Sequence, residues 1–430
     1  MMHMEACSEK SMLFFYYSKI RGSLMSNEFA GKRIVVGVSG SIAAFKVAGW
    51  VSALAKDEAR ASVIMTDSAQ KFVAPLTFAA LSGEAPYTSM FCEDLNHAMS
   101  HIELAQKADL FLIAPATAQT LARLALGMAD DLLSAAVLAT RAPVVICPAM
   151  NSKMYQHQAT QLNITKLKGY GYQVVDPDSG MMACKDDGPG RLVEWQTIKE
   201  VLAKNLRVND LAGLKILITA GPTREAIDPA RFISNRSSGK MGYALARSAY
   251  RRGAEVTLIS GPSALECPHG VKRINVVTAQ EMYDAVMEKF DESVIIIKSA
   301  AVSDFRPVYS HKHKIKKDKA EKELQLTQNT DILFTLGEKN KGKSKFLIGF
   351  AAESENIVAE GKKKLINKNL DLIVINQINS NNTGFEVDTN KVTLLDKDFV
   401  QELPFTSKLH TANMIFDYIS KKINTSVLQS

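Results

Sequence analysis

Short runs of valine and isoleucine alternate with longer segments of helical periodicity, and this alternation occurs twice along the chain. The first series begins at 34–38, and the second restarts after Val208-Asn209-Asp210-Leu211. Continuously apolar strands separated by helices are typical of a parallel sheet that is covered on both faces. The sequence therefore predicts two doubly wound, Rossmann-like α/β domains, whose ligands bind outside the carboxyl ends of the strands.

The individual elements can be placed from the same pattern. Strands are predicted at 34–38, 62–65, 110–114, 144–148 and 173–175, and in the second half at 216–220, 255–260, 294–297, 346–350 and 372–375. Helices are predicted over 41–56, 69–81, 121–127, 132–140 and 153–168. We expect the boundary near 195–212, with domains at 27–205 and 206–430.

The composition limits the classes of protein to which the chain can belong. Its five cysteines lack C-x-x-C spacing, which disfavours a disulfide framework or a zinc site and suits a reducing cytoplasm. No apolar run in the sequence has the length of a membrane span, so no membrane association is predicted. Residues 1–26 show neither a targeting signal nor a periodic apolar face. We expect them to be a disordered, dispensable leader.

The net charge of +7 raises the question of nucleic acid binding. The lysines cluster in 312–322, 339–345 and 362–368 without interleaved aromatic residues, which a platform for stacking bases would need. The alternatives are a solvated lysine-rich face and a site for a small anionic molecule. No nucleic acid partner is predicted.

The loop after the first strand is the first candidate binding site. It starts a helix, so its backbone amides can hold a phosphate. Val38 separates Gly37 from Ser39, so the G-x-G-x-x-G fingerprint is absent, and a mononucleotide such as FMN fits better than NAD. Two further strand ends, 114–118 and 147–151, are small and polar, although each alone is compatible with ordinary turn chemistry. The cofactor-binding candidates are Gly40, Ser41, Ile42, Thr66, Pro115, Ala116, Thr117 and Ala118.

Two side chains in the first half could take part in proton transfer. His101 opens a helix just before the third strand, where both a structural role and a catalytic role are open. Cys184 lies in a polar, glycine-rich loop, where a thiol is more often functional than packed.

The second half has its own candidate site between 216 and 242. An apolar strand leads into a long polar loop with Gly221, and a helix starts after Ser237-Ser238-Gly239-Lys240. Unpaired amides at a helix start favour phosphate. The Walker pattern is not met, because Ser234 replaces its first glycine and Met241 replaces its hydroxyl residue. An ordinary strand-to-helix crossover remains the alternative.

Together these motifs resemble one family, the bifunctional phosphopantothenoylcysteine decarboxylase/phosphopantothenate-cysteine ligases of bacterial coenzyme A synthesis. The resemblance runs from about Gly31 to the C-terminus. It rests on the order and spacing of Gly40-Ser41-Ile42-Ala43-Ala44-Phe45-Lys46, His101-Ile102-Glu103, Pro115-Ala116-Thr117-Ala118, Pro148-Ala149-Met150-Asn151 with Met154, the Cys184 loop, Ala220-Gly221-Pro222-Thr223-Arg224-Glu225 and Ile233-Ser234-Asn235.

For the first half, the resemblance implies a flavodoxin-like domain in which FMN-dependent oxidation of the substrate thiol drives loss of CO2. It implies that His101 is needed for oxidative decarboxylation and that Asn151 holds the substrate carboxylate. Cys184 would be the proton donor for the final reduction. The chain departs from the family at Lys185, where glycine is usual. Lysine would strain the loop if this position needs a positive φ.

For the second half, the resemblance implies that CTP and Mg²⁺ activate 4'-phosphopantothenate as an acyl-cytidylate, which L-cysteine then attacks. Asn235 would act on the acyl-cytidylate, Asp304 and Lys314 would hold CTP, and the metal ligands are not predicted. The full set of binding candidates is Gly221, Ser237, Ser238, Gly239, Ala300, Ala301, Asp304, Lys314, Phe350, Lys364 and Lys368. The resemblance also implies a homo-oligomer, a dodecamer whose FMN sites are completed by neighbouring chains.

Two other functions compete with this one. A flavin prenyltransferase or a peptidyl-cysteine decarboxylase would share the first half, but it would lack residues 210–430. A flavoprotein-like regulatory subunit that binds a phosphatase would often lack part of the set His101, Asn151 and Cys184, all of which are present.

Overall fold

The computed structural model describes residues 28–91, 99–182, 185–315, 323–353, 356–377 and 387–427. The expected leader at 1–26 and the candidate Cys184 lie outside these ranges. The chain divides into two compact units, of which one spans 27–207 and the other contains 208–430. In the described residues, no helix is both long enough and apolar enough to cross a bilayer.

The first unit is built around a five-stranded parallel sheet with the strand order β2-β1-β3-β4-β5, which is the flavodoxin-like order. Its strands are β1 (Arg33–Val38), β2 (Arg60–Met65), β3 (Leu110–Ala116), β4 (Val144–Pro148), β5 (Gln173–Val174) and a separate hairpin of β6 (Asp178–Ser179) and β7 (Pro189–Arg191). Its helices are α1 (Ala44–Lys56), α2 (Asp67–Gln70), α3 (Pro75–Ser82), α4 (Ser100–Lys107), α5 (Ala118–Leu126), α6 (Leu132–Ala139), α7 (Ser152–Gln156), α8 (Gln158–Gly169) and α9 (Trp195–Asn205).

The second unit contains an eight-stranded sheet with the order β12-β11-β8-β13-β16-β17-β19-β20. Its strands are β8 (Lys215–Ala220), β9 (Arg224–Asp228), β10 (Arg231–Ser234), β11 (Glu255–Ser260), β12 (Lys272–Asn275), β13 (Ile295–Lys298), β14 (Phe305–Pro307), β15 (Leu326–Gln328), β16 (Phe346–Glu353), β17 (Leu372–Gln377), β18 (Thr389–Asn390), β19 (Val392–Leu395), β20 (Val400–Glu402) and β21 (Thr406–Ser407). Its helices are α10 (Lys240–Arg251), α11 (Ala279–Phe290), α12 (Ile332–Lys339), α13 (Ile357–Asn367) and α14 (Lys408–Val427).

The predicted fold class is confirmed in both units, with one addition. The first six strands of the large sheet are parallel and follow the Rossmann order, but β19 and β20 are antiparallel and extend one edge. Each unit buries apolar side chains on both faces of its sheet, as an α/β fold requires.

Three predicted elements differ from the structure. The helix expected at 69–81 is two helices, because Pro75 occupies the first turn of α3 and ends the preceding hydrogen-bonding pattern. The helix expected at 153–168 is interrupted by His157, whose extended backbone and ring nitrogen Nδ1 cap α8. The polar loop expected after 220 contains the antiparallel hairpin of β9 and β10.

One close contact shows why a glycine is needed at the start of α10. A Cβ added to Gly242 would lie 2.5 Å from the Cβ of Ala220, which ends β8. Only glycine therefore allows α10 to pack directly against the strand, and this packing places the loop before the helix at the carboxyl edge of the sheet.

Candidate functional sites

The first candidate site lies at the carboxyl ends of β1, β2 and β3. The Ser39 hydroxyl donates to the carbonyl oxygen of Pro115 at 2.6 Å and accepts from the backbone N–H of Thr117 at 3.0 Å, which joins the loops after β1 and β3. Thr66 N–H donates to Val38 O at 3.0 Å. A Cβ added to Gly40 would lie 2.3 Å from Ser68 Cβ, so the two loops touch. The structure thus gathers the loops carrying the predicted cofactor-binding residues, 40–42, Thr66 and 115–118.

A cleft of about 480 Å³ opens beside this edge of the first sheet. The side chains of Ile42, Phe45 and Met150 give it apolar walls, and Ser41, Lys46 and Asn151 give it polar groups. Apolar walls with a few placed polar groups are what a flat, phosphate-bearing ring requires. The residues present therefore fit a flavin mononucleotide.

Asn151 is held in this cleft by the start of α7. Its side-chain oxygen accepts from the Lys153 backbone N–H at 2.9 Å and caps the helix. Its amide nitrogen donates to the carboxylate of Asp186 at 2.7 Å. The side chain assigned to the substrate carboxylate therefore already binds a carboxylate from the glycine-rich loop.

That glycine-rich loop is held against the end of β4 by backbone contacts. Met150 N–H donates to Gly190 O at 3.0 Å, and a Cβ added to Gly190 would lie 2.2 Å from Met150 O. Gly190 has a φ of +146°, which an L residue rarely adopts. The Gly190 end of the loop is thereby anchored next to Met150, the residue before Asn151.

His101 does not line the cleft formed by its own chain. It lies in the first turn of α4, half-buried, and its buried Nδ1 atom has no hydrogen-bond partner among the described residues. A buried ring nitrogen without a partner is uncommon, because it carries the full cost of desolvation. The first unit therefore brings Asn151 to the cleft and leaves His101 outside it.

The second candidate site lies at the carboxyl ends of β8, β13 and β16. The Ala301 N–H donates to Gly221 O at 3.0 Å, and the Ala300 N–H donates to Thr219 Oγ1 at 3.2 Å. Asn235 donates from its amide nitrogen to the carbonyl oxygens of Ala301 and Val302, each at 3.1 Å. Asn235 thus holds the segment that leads to Asp304.

The loop before α10 completes the edge formed by this segment. The backbone N–H of Gly239 approaches Ser237 Oγ at 3.4 Å, and the carbonyl oxygen of Ser238 accepts from Ser263 Oγ at 3.0 Å. Lys240 pairs with Asp388 at 2.7 Å. Part of its charge is thereby balanced by the protein.

Hydrogen bonds connect the segment of Lys314 to the β9–β10 hairpin, which lies at the same edge of the large sheet. The next residue, Ile315, donates its N–H to Asp228 Oδ2 at 3.2 Å, and Arg231 bridges Asp228 Oδ2 at 2.5 Å and Ile315 O at 3.3 Å. The Arg231 guanidinium, followed by the backbone N–H groups around it, holds the pKa of the Asp228 carboxyl well below its usual value. The exposed Lys314 side chain is therefore connected to the hairpin that leads into Asn235.

The remaining predicted lysines already have acidic partners in the structure. Lys364 contacts Glu353 at the end of β16, and Lys368 pairs with Asp331 at 2.6 Å. Phe350 is half-buried in the middle of β16. In the described ranges, no group of three or more acidic, histidine or cysteine side chains could hold a metal ion.

Comparison with known proteins decides the family. The family described as Flavoprotein matches residues 23–207, and the DNA/pantothenate metabolism flavoprotein C-terminal domain matches residues 211–423. The chain is 46% identical over 394 residues to the coenzyme A biosynthesis bifunctional protein CoaBC of Bacillus subtilis, covering 90% of this chain and 97% of that protein. This chain belongs to that family.

Two further relatives span one or both units of this CoaBC family member. The protein of the same description from Escherichia coli is 44% identical over 394 residues, covering 91% of this chain and 97% of its own length. A crystal structure of the C-terminal domain of a coenzyme A biosynthesis bifunctional protein CoaBC is 43% identical, with a TM-score of 0.44, and covers 50% of this chain and 99% of that one. The resemblance predicted from sequence is confirmed.

Several residues near the two sites were not predicted from the sequence. Asn329 donates to Ser303 O at 2.8 Å and accepts from Arg306 at 2.8 Å, so it fixes the segment around Asp304. Asp186 and Lys298 were also not predicted. For Lys298 the sequence does contain a signal, because a charged residue ends an apolar strand.

Lys185 has a φ of +63°, so the condition under which lysine would strain its loop is met. We expect Lys185→Gly to raise the free energy of unfolding of the first unit by about 0.5–1 kcal/mol, because glycine adopts this backbone without a steric penalty. Urea denaturation, monitored by flavin fluorescence, measures this free energy. Lys153→Gly, within helix α7, is the control and should lower stability. Equal destabilisation by both variants would contradict the strain.

Proposed function

We propose that this protein makes 4'-phosphopantetheine in two steps, one in each unit. The second unit ligates 4'-phosphopantothenate to L-cysteine with CTP, and the first unit decarboxylates the resulting 4'-phosphopantothenoylcysteine with FMN. The observation that carries the proposal is the identity of 46% to a bifunctional coenzyme A biosynthesis protein across both units and 97% of its length. The competing flavin prenyltransferases and peptidyl-cysteine decarboxylases would lack the second unit.

In the first unit, we assign the cleft beside Ser41 and Ile42 to FMN. Bound there, the cofactor would supply the redox change that turns the substrate's thiol-bearing carbon into an electron sink. Asn151 would orient the substrate carboxylate with its amide nitrogen. The apolar walls formed by Phe45 and Met150 would exclude water from the bond to CO2.

His101 would act as the proton-transfer group for this chemistry. Imidazole is a common general acid or base in enzymes, and the Nδ1 atom of His101 has no hydrogen-bond partner among the described residues. Because His101 does not line its own cleft, we propose that a neighbouring copy supplies it. The exposed Leu76 and Met181 side chains support contacts of the first unit with such copies. A dodecamer in which the second units pair is the assembly we propose, and light scattering after gel filtration tests it.

Cys184, outside the described residues, is assigned as the proton donor for the final reduction. We expect Cys184→Ser to release CO2 at close to the normal rate and to accumulate an oxidised enethiol product, because a hydroxyl is far less acidic than a thiol. Mass spectrometry of the products measures this. Cys267→Ser, in the second unit, is the control and should give normal phosphopantetheine. A normal yield from Cys184→Ser would remove this residue from the mechanism.

In the second unit, the carboxylate of 4'-phosphopantothenate must be converted into a good electrophile, and CTP would do this by forming an acyl-cytidylate. Gly221, Ser237, Ser238 and Gly239 would meet phosphate oxygens with backbone and hydroxyl donors. Lys314 would balance the charge that develops on the phosphates. Mg²⁺ would be carried mainly by the CTP phosphates, since it usually binds one or two carboxylates together with phosphates.

The decisive experiment supplies the purified protein with 4'-phosphopantothenate, L-cysteine, CTP and Mg²⁺. We expect pyrophosphate, CMP, CO2 and the mass of 4'-phosphopantetheine, together with the visible absorption of a bound flavin. Formation of 4'-phosphopantothenoylcysteine without decarboxylation would refute the role of the first unit. A colourless protein that forms no product would refute the whole proposal.

The cysteine usage supports a cytoplasmic location.

A further inference from the structure

Lys298 is the last residue of β13, the strand that lies between β8 and β16 in the large sheet. The three residues before it in the strand are buried isoleucines, whereas Lys298 is half-buried at the carboxyl edge. Two residues later the chain reaches Ala300, whose N–H is bound by Thr219. The lysine therefore stands directly before the segment that we assign to the nucleotide.

The register of the sheet places Lys298 beneath the start of α12. Lys298 pairs with Gly349 on β16, and a Cβ added to Gly349 would lie 2.8 Å from Leu333 in the first turn of α12. Cross-strand partners share one face of a sheet. The N-cap residue of α12 is Asp331, which accepts from the Phe334 N–H at 3.0 Å.

Among the described residues, Lys298 has no direct ionic partner, although two acids and one other lysine act on it. Lys368, Asp331 and Asp304 are the charged groups that act on it, and Asp331 is already paired with Lys368 at 2.6 Å. Among the described residues, no side chain forms an ion pair or hydrogen bond with Lys298. A half-buried ammonium group without a partner is costly. Burial, followed by the like charge of Lys368, accordingly lowers the pKa of Lys298 to about 8.

We propose that Lys298 is a further binding residue of the ligase site and that its ammonium group contacts the phosphates of CTP. The inference rests on the proposed function and adds a residue to it. Phosphate is the group of CTP that offers a concentrated negative charge, which an ammonium without an ionic partner among the described residues, two residues before Ala300, can neutralise. The lysine would then gain in the complex the partner it lacks in the protein alone.

The test measures binding to the full-length protein by isothermal titration calorimetry, with pyrophosphate, CTP and cytidine as separate probes in the presence of Mg²⁺. We expect Lys298→Met to weaken the binding of pyrophosphate and of CTP roughly tenfold at pH 7, which is the usual effect of losing one charge-assisted hydrogen bond. The binding of cytidine should be unchanged. Lys341→Met removes an exposed lysine that pairs with Glu338 and should change none of the three.

The dependence on pH provides a second, independent readout. The contribution of Lys298 is fully present below its pKa in the free protein and is lost as the pH rises through about 8. CTP affinity of the wild type should therefore fall about fivefold between pH 7 and pH 9. Lys298→Arg keeps its charge throughout this range, so it should bind CTP well at pH 7 and show no such fall.

Four outcomes would overturn the inference. Unchanged pyrophosphate affinity in Lys298→Met would remove the residue from the site. A selective loss of cytidine binding would assign it to the base instead of the phosphates. A fall with pH that persists in Lys298→Arg would assign the titration to another group, such as Lys408, whose pKa burial also lowers to about 8. Wild-type protein that binds neither CTP nor pyrophosphate would refute the proposed ligase function as well.

Discussion

Replacing His101 by asparagine should lower the rate of CO2 release by a factor of about 10²–10⁴, the usual contribution of a positioned acid or base, while flavin stays bound. Asparagine can form hydrogen bonds like those of an imidazole, but it cannot take up a proton near neutral pH. Decarboxylation of added 4'-phosphopantothenoylcysteine is followed by mass spectrometry, and the visible spectrum reports bound flavin. The ligase reaction of the same sample should be unaffected.

A second histidine in the same unit provides the matched control. His157 caps α8 by accepting from the Ala159 N–H at 3.2 Å, a role that asparagine also performs well. His157→Asn should therefore decarboxylate at the normal rate. If His101→Asn is equally active, His101 is a structural residue. If His101→Asn loses its flavin, the assignment to substrate chemistry fails.

Asn235→Asp and Lys314→Gln should block different halves of the ligase reaction. The amide nitrogen of Asn235 donates to two carbonyl oxygens in the structure. An aspartate side chain of nearly the same shape could not donate a hydrogen bond to the acyl-cytidylate and would repel its anionic phosphate. We expect acyl-cytidylate to form while attack by cysteine falls by roughly 10²–10³, as when a transition-state donor is lost. Lys314→Gln removes a charge from the CTP phosphates and should impair formation of the acyl-cytidylate itself.

The two half-reactions can be separated by withholding one substrate. Protein, CTP and 4'-phosphopantothenate are mixed without cysteine, pyrophosphate and acyl-cytidylate are measured, and cysteine is then added to follow the amide. Lys312→Gln, two residues away and also exposed, is the control for Lys314 and should behave as the wild type. A block of both variants at the same step would refute the division of roles. Full activity of both would place the site elsewhere.

The sequence predicted which segments gather at the two sheet edges, because the carboxyl ends of parallel strands necessarily share an edge. The loops at 40–42, 115–118 and 300–304 each follow a strand that is apolar enough to identify. The order of the strands within each sheet did not follow from the pattern, because strand neighbours are chosen by packing between distant segments. The antiparallel edge formed by β19 and β20 was missed for the same reason.

Contacts between side chains that are distant along the chain also could not be predicted from the sequence. Asp331 and Lys368 are 37 residues apart and meet only because α12 and α13 cover the same face of the sheet. The sequence shows two ordinary surface charges there. That Lys298 lies near them without an ionic partner among the described residues becomes visible only in three dimensions. The sequence predicts a loop where the structure has the hairpin of β9 and β10, because these strands are short and largely polar.

The hydrogen bond between Asn151 and Asp186 sets a competition between two carboxylates for one amide. If Asn151 holds the carboxylate of the substrate as proposed, the substrate must first displace Asp186 from it. The product has lost its carboxylate and cannot keep that position, so Asp186 returns. Decarboxylation would then favour release of the product. A molecule without a carboxylate could not displace Asp186 from the Asn151 amide and would bind weakly.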